Sequence, residues 1–274
     1  MTQTNKWLLP PELTRCIVEL ACCREFYNRE RILGNNDPNT AEYACVCSEW
    51  REEVERLTFR HLRLDRARLA DVDHIVCPRR RAYVRTVDLD VELELYGAEV
   101  YGDFETAEEG KRNSAIFSET LRLFFKVFNR WTPEPGANDG YGDGRAGISL
   151  RITAFSRSDV SCCSTAEIEW RYQDFNHRDI LDDRYVHSIL QLAYPADTAA
   201  VEELPVVETV SELISGEERN ISPAAWASII NSLPNVKTID IDFWENEKKD
   251  VELRKQLRDS KAGDLSIRSN KRRI

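Results

Sequence analysis

The sequence predicts an α+β chain: a small helical N-terminal domain followed by an irregular α/β domain. In residues 13–21 and 43–57, apolar residues recur every three or four positions, which is the spacing of one helix face. Further along, short alternating runs follow helical runs, a succession typical of helices that cover a sheet. We predict domains at 7–64 and 65–259 and a disordered basic tail at 260–274.

The composition of the 274-residue chain narrows the class of protein. Its 42% hydrophobic content is enough for a sizeable core and argues against global disorder. With a net charge of −10, nucleic acid is not an expected partner, because phosphate binding requires clustered Lys and Arg. No apolar run approaches the ~20 residues of a membrane-spanning helix, so no membrane partner is expected. The polar N-terminus does not resemble a signal peptide. We therefore expect a cytoplasmic or nuclear protein whose eight cysteines are reduced.

Two amphipathic helices are predicted in the N-terminal domain. Pro10 and Pro11 open the first, because proline is tolerated in the first turn of a helix. Thr40 can cap the second, which we expect to run to Leu57. Their apolar faces comprise Leu13, Cys16, Ile17, Leu20 and Ala21 in the first helix, and Tyr43, Val46, Cys47, Trp50, Val54 and Leu57 in the second. Such faces either form the core of the domain or remain available to a partner.

The next elements are a strand at 62–64, a helix at 66–76, a basic turn at 79–81 and the clearest strand of the chain, Val87 to Leu95. Apolar residues alternate there with carboxylates, which must be solvated or paired because they repel one another. We consider a solvent-facing strand and a docking face for a basic cargo segment. The carboxylates are Asp88, Asp90, Glu92 and Glu94, and the candidate partners are Arg79, Arg80, Arg81 and Arg85.

The rest of the chain continues this alternation. Segment 188–194 is ambiguous between helix and strand, and Ser222 with Pro223 marks a helix start. The predicted elements are a helix at 105–131, a loop at 133–147, strands at 148–154 and 168–172, a loop at 173–184, a return to the sheet at 206–210, a helix from 223 broken at 233–236, a strand at 239–243 and a charged helix at 245–259.

Motifs that carry chemistry are absent or lie in the wrong context. Gly142, Gly144 and Gly147 match the dinucleotide fingerprint, but a strand follows them where the mechanism needs a helix. Cys45-x-Cys47, which we place on a helix, and the adjacent cysteine pairs lack the spacing of zinc ligands. We predict no enzyme activity, no cofactor and no metal site.

The N-terminal motif resembles an F-box. It reads Leu9-Pro10-x-Glu12-Leu13, then Ile17 and Leu20, and later Val46-Cys47-x-x-Trp50. In that family the motif docks on the Skp-type linker of an SCF ubiquitin ligase. The resemblance implies a substrate-recognition adaptor that binds this linker, through it a cullin, and an unknown protein substrate. The implied linker-binding residues are Leu9, Pro10, Glu12, Leu13, Ile17, Leu20, Tyr43, Val46, Cys47 and Trp50.

The downstream part is similar to fungal F-box proteins, and its last stretch resembles a leucine-rich-repeat step at Leu233-Pro234-Asn235-Val236 and Ile239-x-Ile241. The spacing from Leu20 to Val46 exceeds the usual F-box spacing and indicates an insertion. Three alternatives remain: an interaction scaffold that never joins a ligase, a truncated gene product, and an enzyme that uses the carboxylate-rich loops.

Overall fold

The computed structural model describes residues 10–22, 40–100, 103–132, 147–159, 184–185, 188–193, 203–216 and 219–241. The predicted strand at 168–172, helix at 245–259 and C-terminal tail lie outside these residues. The chain divides into two compact units, the first made of Met1–Leu62 and Val76–Val84, the second of Arg63–Ile75 and Arg85–Ile274. The described elements are α1 (Pro11–Cys22), α2 (Thr40–Tyr43), α3 (Ser48–Thr58), β1 (His61–Leu64), α4 (Arg66–Ile75), α5 (Pro78–Arg81), β2 (Thr86–Glu92), a 3₁₀ helix (Ala98–Val100), α6 (Ala107–Phe128), β3 (Ile148–Phe155), β4 (Val210–Ser215), α7 (Pro223–Asn231) and β5 (Thr238–Asp240).

The first unit contains α1, α2, α3 and α5, and the prediction of one helix from Thr40 to Leu57 was wrong. The chain leaves the helical path after Tyr43, and Cys47 lies in extended backbone at the start of α3. Cys45 and Cys47 therefore lie in a turn. The interruption between α2 and α3 spans about one helical turn, so the apolar residues on either side keep the spacing of a continuous helix. The sequence pattern therefore could not reveal the break.

The second unit is built on a sheet of five strands in the order β1-β2-β3-β4-β5. The pairs β2–β3, β3–β4 and β4–β5 are parallel. Helices α4 and α6 pack against β2 and against each other. Val87, Leu89 and Val91 are fully buried, as the alternation in β2 predicts. The mixed helix-and-sheet class is thereby confirmed.

Helix α6 supplies the largest part of the core. Its N-terminus is fixed by a capping box, in which Thr106 Oγ1 accepts from the Glu109 amide and the Glu109 carboxylate accepts from the Thr106 amide. The cap places the helix start at Ala107, two residues after the predicted start. Phe124 and Phe128 are fully buried and stack with ring centroids 4.3 Å apart.

Several strand boundaries differ from the predictions. Strand β2 ends at Glu92, so Glu94 lies outside it and Leu95 is exposed rather than buried. The strand that returns to the sheet is β4, Val210–Ser215, whereas the prediction placed it at 206–210. The amide of Val207 donates instead to the carbonyl of Ser232. Alternate residues are also buried in the segment that precedes Val210. The sequence pattern alone therefore does not show where β4 begins to pair with its neighbour.

The later predictions were closer. Strand β3 agrees with its predicted bounds to within one residue, and Ser222 caps α7 through the Ala225 amide, as predicted. The described part of the ambiguous segment is neither helix nor strand. It makes an isolated bridge from Leu190 to Ile221.

Two glycines provide a matched test of this backbone geometry. Gly147 has φ +105°, and a Cβ there would lie 2.7 Å from Ser211, so Gly147→Ala should cost about 1–3 kcal/mol in the free energy of unfolding. Gly110 lies within α6, where the nearest atom would be 3.7 Å away, so Gly110→Ala should stabilise by about 0.5–1 kcal/mol. Urea titration of both variants measures the two changes. Equal effects at the two positions would contradict the described backbone.

Candidate docking surfaces

The apolar stripe of α1 faces solvent. Leu13, Ile17 and Leu20 are 51%, 38% and 75% exposed. The buried residues of this helix are Thr14 and Val18. Thr14 and Val18 directly follow Leu13 and Ile17 in the sequence. Because successive helical residues are about 100° apart, the buried side of α1 is rotated by about 100° from the apolar stripe. The first unit therefore does not use the stripe as its core.

The orientation of α1 is fixed by its packing on α3. The two helices are in contact within the first unit, and Arg15 of α1 lies 3.5 Å from the carboxylate of Glu53 on α3. Val54 of α3 is buried. At the helix start, the carbonyl of Pro10 accepts from the amides of Leu13 and Thr14. These bonds start the helix, in which Thr14 is buried and Leu13 is exposed.

The turn between α2 and α3 exposes further predicted residues. Val46 is 61% exposed, and Cys47 is exposed beside it. The half-buried rings of Tyr43 and Trp50 lie 6.2 Å apart at an interplanar angle of 55°. Helix α2 also packs on α3. Pro10 and Glu12 are exposed at the start of α1, and Leu9 lies outside the described residues.

A carboxylate–arginine group joins α3 to α5. Glu55 accepts from Arg80 at 2.8 Å and from Arg79 at 3.4 Å. The hydrogen bond from Arg80 lowers the pKa of Glu55 below its ordinary value, and the positive charges of Arg80 and Arg79 add to this shift. Arg79 and Arg80, two of the candidate partners of the β2 carboxylates, thus bind Glu55 of α3.

The sheet of the second unit has a second face, here called the open face: the strand positions whose side chains point away from α4 and α6. Asp88, Asp90 and Glu92 of β2 belong to it and are half-buried. Each meets an arginine from a neighbouring segment: Arg151 at 3.9 Å from Asp88, Arg157 at 2.6 Å from Glu92, and Arg63 bound to Asp90. Beyond the strand, Glu94 binds Arg112 of α6 at 2.6 Å. The carboxylates are thus paired rather than only solvated.

A buried polar cluster, here called the carboxyl-end cluster, lies beyond the C-terminal ends of β2, β3 and β4. At its centre Arg219 donates to Glu105 at 2.8 Å, and these side chains are 1% and 3% exposed. Ser188 binds both groups. The cluster consists of Tyr96, Glu105, Asp159, Arg184, Tyr185, Ser188 and Arg219.

Asp159 links the two tyrosines of the carboxyl-end cluster. Its carboxylate accepts from the hydroxyls of Tyr96 and Tyr185 and from the amide of Ser156. Burial is the main cause that raises the pKa of both tyrosines far above the ordinary value, so both remain protonated donors. The guanidinium of Arg219 stacks on the Tyr185 ring at 3.7 Å. Because these groups bind one another, the carboxyl-end cluster connects the loops that supply its residues.

The sequence analysis missed the carboxyl-end cluster because its members are far apart in the chain. A signal was nevertheless present, since Tyr96 and Asp159 each follow a predicted strand by only a few residues. The ends of parallel strands meet at one edge of a sheet, so such residues are expected to converge there. Arg184 comes from a predicted loop, and Arg219 comes from a segment without a predicted element.

In the part of the chain that the structure describes, no group of three or more His, Cys, Asp or Glu could hold a metal ion. No described helix is long and apolar enough to cross a membrane.

In comparisons with known proteins, no protein-family model matches the chain, and neither a curated protein nor a solved structure matches it significantly.

The pair Glu105–Arg219 should behave as a buried ion pair. Arg219→Met leaves a buried carboxylate uncompensated and should cost about 3–5 kcal/mol in the free energy of unfolding, and Glu105→Gln should be similarly harmful. The double variant Glu105→Gln/Arg219→Met should cost less than the sum of the single variants. Denaturant unfolding of the four proteins measures this coupling, and strict additivity would contradict it.

The Glu55 group should make the stability of the first unit depend on pH. Because its pKa is lowered on folding, its contribution is present above about pH 4.3 and is lost as the pH falls through the lowered value. At pH 7, Glu55→Gln should cost about 1–2 kcal/mol, and the difference from wild type should vanish in acid.

Glu52→Gln is the matched control, since Glu52 is 51% exposed, lies 3.9 Å from Arg56 and accepts a 3.4 Å hydrogen bond from Tyr83 that glutamine can also accept. It should cost less than about 0.5 kcal/mol. Thermal unfolding across pH compares the two variants. Equal costs for both would count against the role given to Glu55.

Proposed function

We propose that this chain is a substrate-recognition adaptor of an SCF-type E3 ubiquitin ligase. In this proposal the first unit is an F-box-like head that docks on the Skp-type linker and through it on a cullin. The second unit is a leucine-rich-repeat-like domain that presents a protein substrate. The chain itself carries out no catalytic step, and it acts in the cytoplasm or the nucleus.

The observation that carries this proposal is the exposed stripe Leu13, Ile17 and Leu20. These side chains follow one another at the spacing with which helices fill grooves. Full burial of one aliphatic side chain contributes about 1.5–3 kcal/mol. The first unit leaves part of that contribution unused, most of all at Leu20, which is 75% exposed, while it buries Thr14. A docking helix requires an apolar face that its own domain does not bury.

The second unit supports the substrate-binding half of the proposal. Its strands follow the sheet in chain order, which is the arrangement of repeat proteins with a continuous concave sheet. Ligand crevices in parallel sheets form where the strand order reverses, and the five strands that the structure describes show no reversal. Such a sheet favours an extended protein surface over a small-molecule pocket. The cargo surface would include Asp88, Asp90, Glu92 and Glu94.

A scaffold that never joins a ligase is the second candidate. It is favoured by the long spacing between Leu20 and Val46, which departs from the F-box pattern. Direct binding of the linker separates the two functions.

The test is capture of the full chain by purified Skp-type linker. Wild type should bind, and Leu13→Ser/Ile17→Ser/Val46→Ser should bind at least about tenfold more weakly, because each truncation removes apolar contact area. All three residues are exposed, so circular dichroism should show an unchanged fold.

The matched control is Ile75→Ser/Leu95→Ser, which removes two aliphatic side chains of the second unit that are 49% and 64% exposed. This variant should bind the linker as wild type does. Absence of binding by wild type would overturn the ligase role and leave the scaffold. Equal loss in both variants would show that the stripe has no special part in binding.

A further inference from the structure

The described helices of the second unit lie on one side of the sheet, opposite the open face. Helices α6 and α7 connect parallel strands that are neighbours, β2 with β3 and β4 with β5. Such crossovers are right-handed, and both proceed in the same direction across the sheet, so α7 lies on the same side as α6. In the described part of the chain, these helices therefore leave the open face uncovered.

The open face carries more negative than positive charge. Three of its carboxylates belong to β2 and lie against arginines of neighbouring segments. Two further carboxylates belong to β4 and β5. The charged residues of this face in the described ranges are Asp88, Asp90, Glu92, Glu212, Asp240, Arg63, Arg151 and Arg157. Five carboxylates against three arginines give this face a net negative charge.

The negative excess lies on the side of β4 and β5. The charged side chains of these two strands are Glu212, which is half-buried, and Asp240, which is exposed. The arginines of the face lie instead against the carboxylates of β2. Lys237 precedes β5, and by alternation its side chain belongs to the side of the buried Ile239. A cationic partner is therefore attracted to β4 and β5 more than to the rest of the open face.

The two carboxylates have nearly the spacing of side chains on one side of an extended chain. Glu212 is in register with Thr238 of β5, and Asp240 follows Thr238 by two residues. With about 7 Å along the strand and about 4.8 Å between strands, the Cα atoms of the two acids are about 8 Å apart. Residues two apart in an extended segment are about 7 Å apart. Two cationic side chains of one such segment can therefore reach both carboxylates.

Ile214 adds an apolar contact beside these acids. It is half-buried, follows Glu212 by two residues on β4 and is in register with Asp240 of β5. The aliphatic stems of lysine and arginine cover apolar surface while their charged ends reach an acid or water. The combination therefore suits these long basic side chains.

We infer that this part of the open face binds an extended basic protein segment, with two Lys or Arg side chains of that segment on Glu212 and Asp240. This inference rests on the proposed adaptor role, because it names the chemical class of the substrate. The sequence pattern suggested β2 as the strand that meets a basic segment, but the carboxylates of β2 already pair with arginines. The structure therefore favours β4 and β5.

The test measures fluorescence anisotropy of labelled ten-residue peptides with the full-length chain at low salt. Lys and Thr alternate in the probe, and the comparison peptides replace each Lys by Gln or by Glu. Wild type should bind the Lys peptide best. Glu212→Gln/Asp240→Asn should weaken that binding by about three- to tenfold, which is the loss expected for two exposed ion pairs.

The matched control is Glu108→Gln/Glu119→Gln, which removes the same charge from the helical side. Both residues are on α6, where Glu108 is exposed in the first turn and Glu119 is 56% exposed and binds Arg66. This variant should bind the Lys peptide as wild type does. Equal weakening in both variants would mean that only the overall negative charge attracts the peptide, and would overturn the inference. So would a wild type that does not bind the Lys peptide, or that binds the Gln or Glu peptide as tightly.

Two other occupants of this surface have their own signatures. If the Lys peptide binds only the variant Lys271→Gln/Arg272→Gln/Arg273→Gln, the chain's own basic C-terminal residues compete for the surface. If wild type sediments as a dimer that Glu212→Gln/Asp240→Asn dissociates, a second copy of the chain occupies it. Either result would overturn the assignment to a partner segment.

Linker capture separates this inference from the proposed function. Glu212→Gln/Asp240→Asn should capture the Skp-type linker as wild type does, which supports a cargo role for the two carboxylates. If wild type binds the Lys peptide through them but captures no linker, the ligase role fails while the basic-segment site stands. If wild type captures the linker but does not bind the Lys peptide, the adaptor role stands and this inference fails.

Discussion

The second unit depends on the contact between α6 and β2. Val87, Leu89 and Val91 are fully buried on one side of β2, and the phenylalanines of α6 are buried in the same core. Burial of each such side chain contributes about 1.5–3 kcal/mol, so the contact fixes which side of β2 points inward. Since side chains in a strand alternate, every second residue must then point outward. The composition of the open face follows from this constraint.

The outward residues of β2 are carboxylates, which would repel one another if left alone. Arginines from β1, from β3 and from the segment after β3 bind them. In the pairs of Asp88 and Glu92, the arginine is more exposed than the carboxylate. The alternation in β2 therefore leaves its carboxylates paired with arginines of neighbouring segments.

Local patterns predicted much of this fold but not its long-range pairs. The alternation in β2, the apolar face of α6 and the Ser222–Pro223 cap are properties of neighbouring residues, and the structure confirms them. The break between α2 and α3 preserves the helical period and was missed. The exposure of Leu13 could not be derived, because the pattern does not say which face of α1 meets α3. The link between Glu105 and Arg219 spans 114 residues and has no local signal.

Hydrogen–deuterium exchange of the full chain with and without purified Skp-type linker tests the central claim, that the exposed stripe of α1 is a docking surface. The account predicts that linker slows amide exchange in residues 11–22 and 44–50, and leaves exchange in β3 unchanged. Protection confined to the second unit, or no protection at all, would contradict it.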